Sequence, residues 1–102
     1  MAWHGSIKAS ELGEGEVCGI TIGETQIALY RIDGTIFATS NICTHEYALL
    51  SDGYLDGDCV ECPLHAAKFH VPTGDVRGGP TECALKTFPV KLQDDIVMVE
   101  IA

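Results

Sequence analysis

Two short segments of this chain carry residues that bind metal well: Cys43-Thr44-His45 and Cys62-Pro63-Leu64-His65, with sixteen residues between His45 and Cys62. Each segment offers one thiolate and one imidazole within a tight turn. A single Cys would be read as packing, since a buried Cys behaves as a small hydrophobe. Two mixed pairs resist that reading, because packing has no use for Cys and His together twice. A tetrahedral zinc site with two Cys and two His is one chemistry open to this set. Zinc sites, however, usually group like with like, with both Cys in one arm and both His in the other. Here each arm is mixed.

A mixed arm suits a two-metal cluster, because each loop can give one ligand to each iron and the cluster then staples the loops together. Two Cys on one iron and two His on the other is the Rieske [2Fe–2S] arrangement. The spacing C-x-H, sixteen residues, then C-P-L-H resembles the Rieske ferredoxin family. The resemblance covers nearly the whole chain. It includes an early Trp3, the Asp33-Gly34 hairpin and the Ser51-Asp52-Gly53 turn. It also includes Gly78-Gly79-Pro80, placed like the family's third, proline-containing loop over the cluster. It implies one [2Fe–2S] cluster with Cys43, His45, Cys62 and His65 as ligands. It implies too that the outer ring nitrogens of His45 and His65 lie near the surface and pass the electron on.

Charge explains that ligand choice. Two ferric ions, two sulfides and two thiolates sum to zero, and neutral His adds nothing, so reduction starts from a neutral site. A four-Cys site starts negative, and its potential is lower. Within the family, this chain is expected at the low-potential end. High-potential relatives carry two further Cys that form a disulfide between the loops; the equivalent positions here are Ala48 and Leu64. Those relatives also aim Ser and Tyr hydroxyls at the cluster and its sulfurs, where this chain has Ala67 and Phe69. Donors stabilise the more negative, reduced form. Other departures from the common family pattern are Glu46 and Tyr47 after the first His, Ala66 and Ala67 after the second, and His70 after Phe69.

Loops of this kind need a rigid scaffold, and the flanking sequence supplies one. Val17–Ile22 reads as a strand, and Gln26 to Ile32 as a second, with Ile27 and Leu29 on one face and Ala28 and Tyr30 on the other. Asp33-Gly34 is a two-residue hairpin signal leading into Thr35–Thr39. Lys86 to Leu92 and Ile96 to Ile101 flank a turn at Gln93-Asp94-Asp95. No 3.6-residue period persists, and at most Glu46 to Ser51 makes a short helical turn. The expected fold class is all-β: a Rieske fold, an antiparallel β-sandwich or small barrel with an inserted cluster-binding subdomain. We expect one domain over 1–102, with a basal β part at about 1–40 and 81–102 and the cluster-binding part at about 41–80.

The remaining residues take plainer roles. Cys59 and Glu61 are expected to face away from Val60 and Cys62, so Cys59, like Cys18 and Cys83, is assigned to packing. Trp3 is expected to anchor the first strand in the core, His4 to be solvated, and His70 to serve the surface or a hydrogen bond.

A chain of 102 residues is one domain's worth. It has no G-x-G-x-x-G nucleotide fingerprint. Beyond the two ligand His, only His4 and His70 remain for a second iron site of the two-His, one-carboxylate kind that a Rieske oxygenase needs. The expected role is therefore a one-electron carrier and not an enzyme, with no catalytic residues. The formal charge of −9 argues against nucleic acid and anionic membranes as partners. No apolar run approaches the length of a membrane span, and no export signal is seen, so a cytoplasmic location is expected. The resemblance implies a carrier in a multicomponent aromatic-ring-hydroxylating dioxygenase system. Its partners would be a flavin-dependent NAD(P)H ferredoxin reductase and a terminal dioxygenase. The alternatives are a Rieske small subunit of another reductase or monooxygenase, or a structural zinc module.

Overall fold

The computed structural model describes residues 2–42, 48–63, 67–79 and 84–101. Three antiparallel sheets account for most of them. One has the order β1 (Ala2–Lys8), β11 (Ile96–Ile101), β10 (Val90–Gln93). The second runs β2 (Val17–Ile22), β3 (Thr25–Ile32), β4 (Thr35–Ser40), β9 (Thr87–Phe88). The third is built from four three-residue strands, β5 (Tyr54–Asp56), β6 (Cys59–Glu61), β7 (Lys68–His70) and β8 (Val76–Gly78). The all-β reading holds.

Local chemistry accounts for the turns. Asp33 and Gly34 have φ of 51° and 78°, the pair of positive values that a twisted two-residue hairpin needs. The Glu14 carboxylate accepts both of their N–H groups, at 2.7 and 2.8 Å. Asp94 and Asp95 turn the β10–β11 hairpin in the same way, at φ 52° and 66°. The run expected as one strand from Lys86 to Leu92 is two, divided at Pro89. Proline has no N–H to give to a ladder, and the chain changes sheets there: β9 pairs with β4 and β10 with β11.

The alternation in β3 is the structural centre. Ile27 and Leu29 lie in one core with Leu12, Phe88, Val97 and Val99. Ala28 and Tyr30 lie in a second core with Leu50, Val60, Phe69 and Val71. All four β3 residues are fully buried. Tyr30 carries its hydroxyl into the second core and meets Thr39 Oγ1 at 2.7 Å. Thr39 spends its own proton on Ser40 O at 2.9 Å, so Tyr30 is the donor. Burial pushes the Tyr30 phenol well above its ordinary pKa.

Two expectations are corrected. Of the helical turn expected at Glu46 to Ser51, Glu46 and Tyr47 lie outside the described residues; among the rest, Leu49 is held in a bridge to Ile42 and a 3-10 turn spans Leu50–Asp52. Trp3 belongs to neither core. It lies on the outside of the first sheet under Lys91, whose Nζ is 4.4 Å from the ring centroid, a cation–π contact. His4 is partly buried on the same strand.

Candidate functional site

Of the four expected ligands, the described residues include Cys62. Cys43, His45 and His65 lie outside them, as do Glu46, Tyr47, Leu64, Ala66, Pro80 and Cys83. The described residues include those that flank both segments, Ile42 and Ala48 for the first and Pro63 and Ala67 for the second.

The first loop leaves from Ile42 and returns at Leu49, and these two residues form an isolated antiparallel bridge. Beneath it, Asn41 O accepts the N–H of Leu50 at 2.8 Å, and Asn41 Oδ1 accepts the N–H of Ser51 at 2.8 Å. Asn41 Nδ2 donates to Ser51 Oγ at 3.0 Å. Gly53 then passes so close to β6 that a Cβ on it would stand 2.0 Å from Glu61 O. This contact explains the glycine in Ser51-Asp52-Gly53.

The second loop is a continuation of a ladder. Cys59, Val60 and Glu61 face His70, Phe69 and Lys68, and the next rung is Cys62 N–H to Ala67 O at 2.8 Å. Four residues, Pro63 to Ala66, complete the loop. Cys62 is only 2% exposed, on the face it shares with Val60. The third loop begins at Gly78 and Gly79, and Gly79 lies directly against Ala67. Ala48, Ala67 and Phe69 are buried among Leu50, Val60 and Leu85, so the base shared by the loops is apolar and carries no side-chain hydroxyl at Ala67 or Phe69.

The arrangement fits a [2Fe–2S] group. The donor set expected from the sequence is two Cys and two His in two segments. Cys62 is withdrawn from solvent, as a cluster thiolate should be. Both loops are closed at their bases by backbone hydrogen bonds, and a side-chain-free glycine admits the third loop. The residues would hold the group above the apolar base formed by Ala48, Ala67 and Phe69.

On the outer face of the third sheet the side chains are polar. Tyr54 donates a hydrogen bond to the Glu61 carboxylate, which raises the Tyr54 pKa. Lys68 Nζ lies 3.1 Å from Asp56 Oδ2 and 3.8 Å from Glu61 Oε1. His70 is held at both ring nitrogens, by Asp58 Oδ2 and Thr73 Oγ1, each at 2.9 Å, matching its expected hydrogen-bonding role. Cys59 does face away from Cys62, but it is half-buried beside Asp58 and lies in neither core. Partial burial and the Asp58 charge push its thiol pKa up. Packing is therefore the wrong assignment for Cys59; Cys18 does pack against the first core.

The sequence reading did not single out Asn41 or Gly19. A Cβ on Gly19 would lie 2.8 Å from Ser51 Oγ and 2.9 Å from Asn41 Nδ2. A glycine in the interior of a strand is itself a sign of close approach, and that signal was present in Val17–Ile22.

Residues 2–89 match the family model of the Rieske [2Fe-2S] domain. The chain is 42% identical over 102 residues to the naphthalene 1,2-dioxygenase system ferredoxin component of Pseudomonas putida, covering 100% of this chain and 98% of that one. It is 41% identical over 101 residues to the biphenyl 2,3-dioxygenase ferredoxin component of Rhodococcus jostii, covering 99% and 94%. Among solved structures it is similar to a chain in the complex of reduced oxygenase and oxidized ferredoxin in carbazole 1,9a-dioxygenase. That likeness has a TM-score of 0.90 and 36% identity, over 95% of this chain and 91% of that one. With its two closed loops on an all-β scaffold and these relatives matched end to end, the chain belongs to the Rieske [2Fe-2S] domain family, alongside the ferredoxin components of aromatic dioxygenase systems.

Proposed function

We propose that this protein carries single electrons from a flavin-dependent NAD(P)H reductase to a terminal aromatic-ring-hydroxylating dioxygenase. One [2Fe–2S] cluster would be held by Cys43, His45, Cys62 and His65. The observation that carries the reading is end-to-end similarity to dioxygenase ferredoxin components, together with Cys62 buried at the base of a closed C-P-L-H loop. When bound, such a cluster supplies one-electron exchange. The chain's residues do the rest. Cys43 and Cys62 would bring the negative charge that balances the core, and His45 and His65 would hold the outer iron without adding charge. The apolar base keeps water from beneath the site. In this reading 1–40 and 81–102 form the base, 41–80 the cluster-bearing part, and the protein works in the cytoplasm.

The experiment is reconstitution. Protein purified without oxygen should contain iron and acid-labile sulfide in equal amounts and give a Rieske-type EPR signal after reduction. Paired with an NADH-dependent flavin reductase and an aromatic-ring dioxygenase, it should restore product formation. Stoichiometric zinc without sulfide would sink the reading in favour of the structural zinc module. A normal cluster that supports no dioxygenase turnover, but serves another reductase or monooxygenase, would overturn the partner assignment.

A further inference from the structure

The two ligand loops are closed in different ways. The second is the end of a regular ladder: β6 and β7 pair rung by rung up to Cys62 and Ala67. The first has no ladder beneath it, only the single Ile42–Leu49 bridge. What stands in for the missing ladder is Asn41, through its backbone oxygen and its side chain together. Asn41 accepts two successive amides, Leu50 N–H on its backbone oxygen and Ser51 N–H on Oδ1. Its Nδ2 returns a hydrogen bond to Ser51 Oγ, and its own N–H donates to Gln26 O at 2.9 Å. The returning strand of the loop is thereby fixed against Asn41, and Asn41 against the start of β3.

Burial makes this arrangement costly unless it serves a purpose. Asn41 is 3% exposed, and a buried amide loses hydration unless its polar atoms are paired. An apolar residue would fill the position at lower cost but could not receive the Ser51 amide. Ser or Thr offers one short hydroxyl. Asp would accept both bonds only by burying a charge. Gly19 on β2 leaves the space that the Asn41–Ser51 pair occupies.

We propose that Asn41 is a positioning residue for the cluster. Acting through Ser51, it sets where Cys43 and His45 stand relative to Cys62 and His65. This rests on the ligand assignment above. Asn41 precedes Cys43 by two residues and Ser51 follows His45 by six, so little chain separates the clasp from the donors.

The test compares Asn41→Ala and the milder Ser51→Ala with Ser6→Ala in the cluster-loaded protein. Ser6→Ala removes a part-buried hydrogen bond of the first sheet, to Val97 O at 2.7 Å, outside the core that floors the loops. Cluster release to an iron chelator, visible circular dichroism, EPR g-values and midpoint potential are read beside thermal stability. Asn41→Ala should release the cluster roughly tenfold faster, as loss of an outer-shell support does elsewhere, and should move the g-values and midpoint. Ser51→Ala should do the same to a smaller extent. Ser6→Ala should lower thermal stability with the cluster signals unchanged. If Asn41→Ala does not yield folded protein, Ser51→Ala against Ser6→Ala decides. The proposal is overturned if the clasp variants leave the cluster signals as in wild type, or shift them no more than Ser6→Ala does. Wild-type protein lacking iron and sulfide would instead reject the ligand assignment itself.

Discussion

Gly79 lies against Ala67 so closely that a Cβ built on Gly79 would stand 2.5 Å from Ala67 Cα. Gly79 also has φ of 92°, a conformation that side chains resist. The third loop therefore meets the second backbone to backbone. Gly79→Ala should cost about 2–3 kcal/mol, from strain and displacement together, and lower the melting temperature by roughly 10 °C. Cluster loss should accompany the melting change, as read by visible absorbance during the same scan. A variant that melts and retains its cluster like wild type would show that the close contact does not matter.

The absence of hydroxyl donors at Ala67 and Phe69, both fully buried, bears on the potential. With no side-chain hydroxyl at these two positions to stabilise the added negative charge, the midpoint should fall near the bottom of the Rieske range, at roughly −150 mV. A value above zero would contradict this. Ala67→Ser should raise it. A donor whose hydrogen bond favours the reduced state by about 1.4 kcal/mol shifts a one-electron couple by about 60 mV. Protein-film voltammetry of the two proteins measures the difference directly.

His65→Cys keeps a side chain able to bind iron but replaces a neutral donor by an anionic one. The oxidised site would then carry an extra negative charge, and reduction would become harder. The expected outcome is a lower midpoint or loss of the cluster, seen by voltammetry and EPR. Unchanged redox behaviour would mean that His65 is not a ligand.

The Asp58–His70 contact gives a pH signature. The hydrogen bond from His70 holds the Asp58 carboxyl below its ordinary pKa. A depressed carboxylate contributes stability that is present above the unfolded-state pKa and lost as pH falls through the folded one. The window therefore lies at about pH 4 and below. Thermal melts of wild type and His70→Ala should differ at about pH 5 and converge as the pH drops below about 4. A difference that does not narrow on acidification would remove Asp58 from the account. Because Asp58 is exposed, the effect should be small and should shrink in high salt.

Much of this molecule was legible from its residues. The alternation of Ile27, Ala28, Leu29 and Tyr30 announced a strand with two faces, and Asp33-Gly34 announced its turn, because both signals are local. The paired Cys and His pointed to the family that residues 2–89 match, because their chemistry is uncommon together. The third sheet was harder to read: its strands pair in chain order, but strands of three residues carry too few alternations to show a period. Asn41 was missed for a related reason. Its partners are ten residues onward at Ser51 and fifteen back at Gln26, and no short motif records such a contact. Trp3 was misplaced because aromatic bulk is equally at home in a core or on a sheet face beneath a lysine.

β3 has a consequence for how the protein opens. Ile27 and Leu29 on one face hold the first core together, and Ala28 and Tyr30 on the other face hold the second. A strand that forms a party wall cannot leave one room without opening both. The two cores should therefore behave as a single foldon. In native-state hydrogen exchange, the amides of Ile27 to Tyr30 should exchange only by global unfolding, and the half that bears the loops should not come loose while its base remains intact.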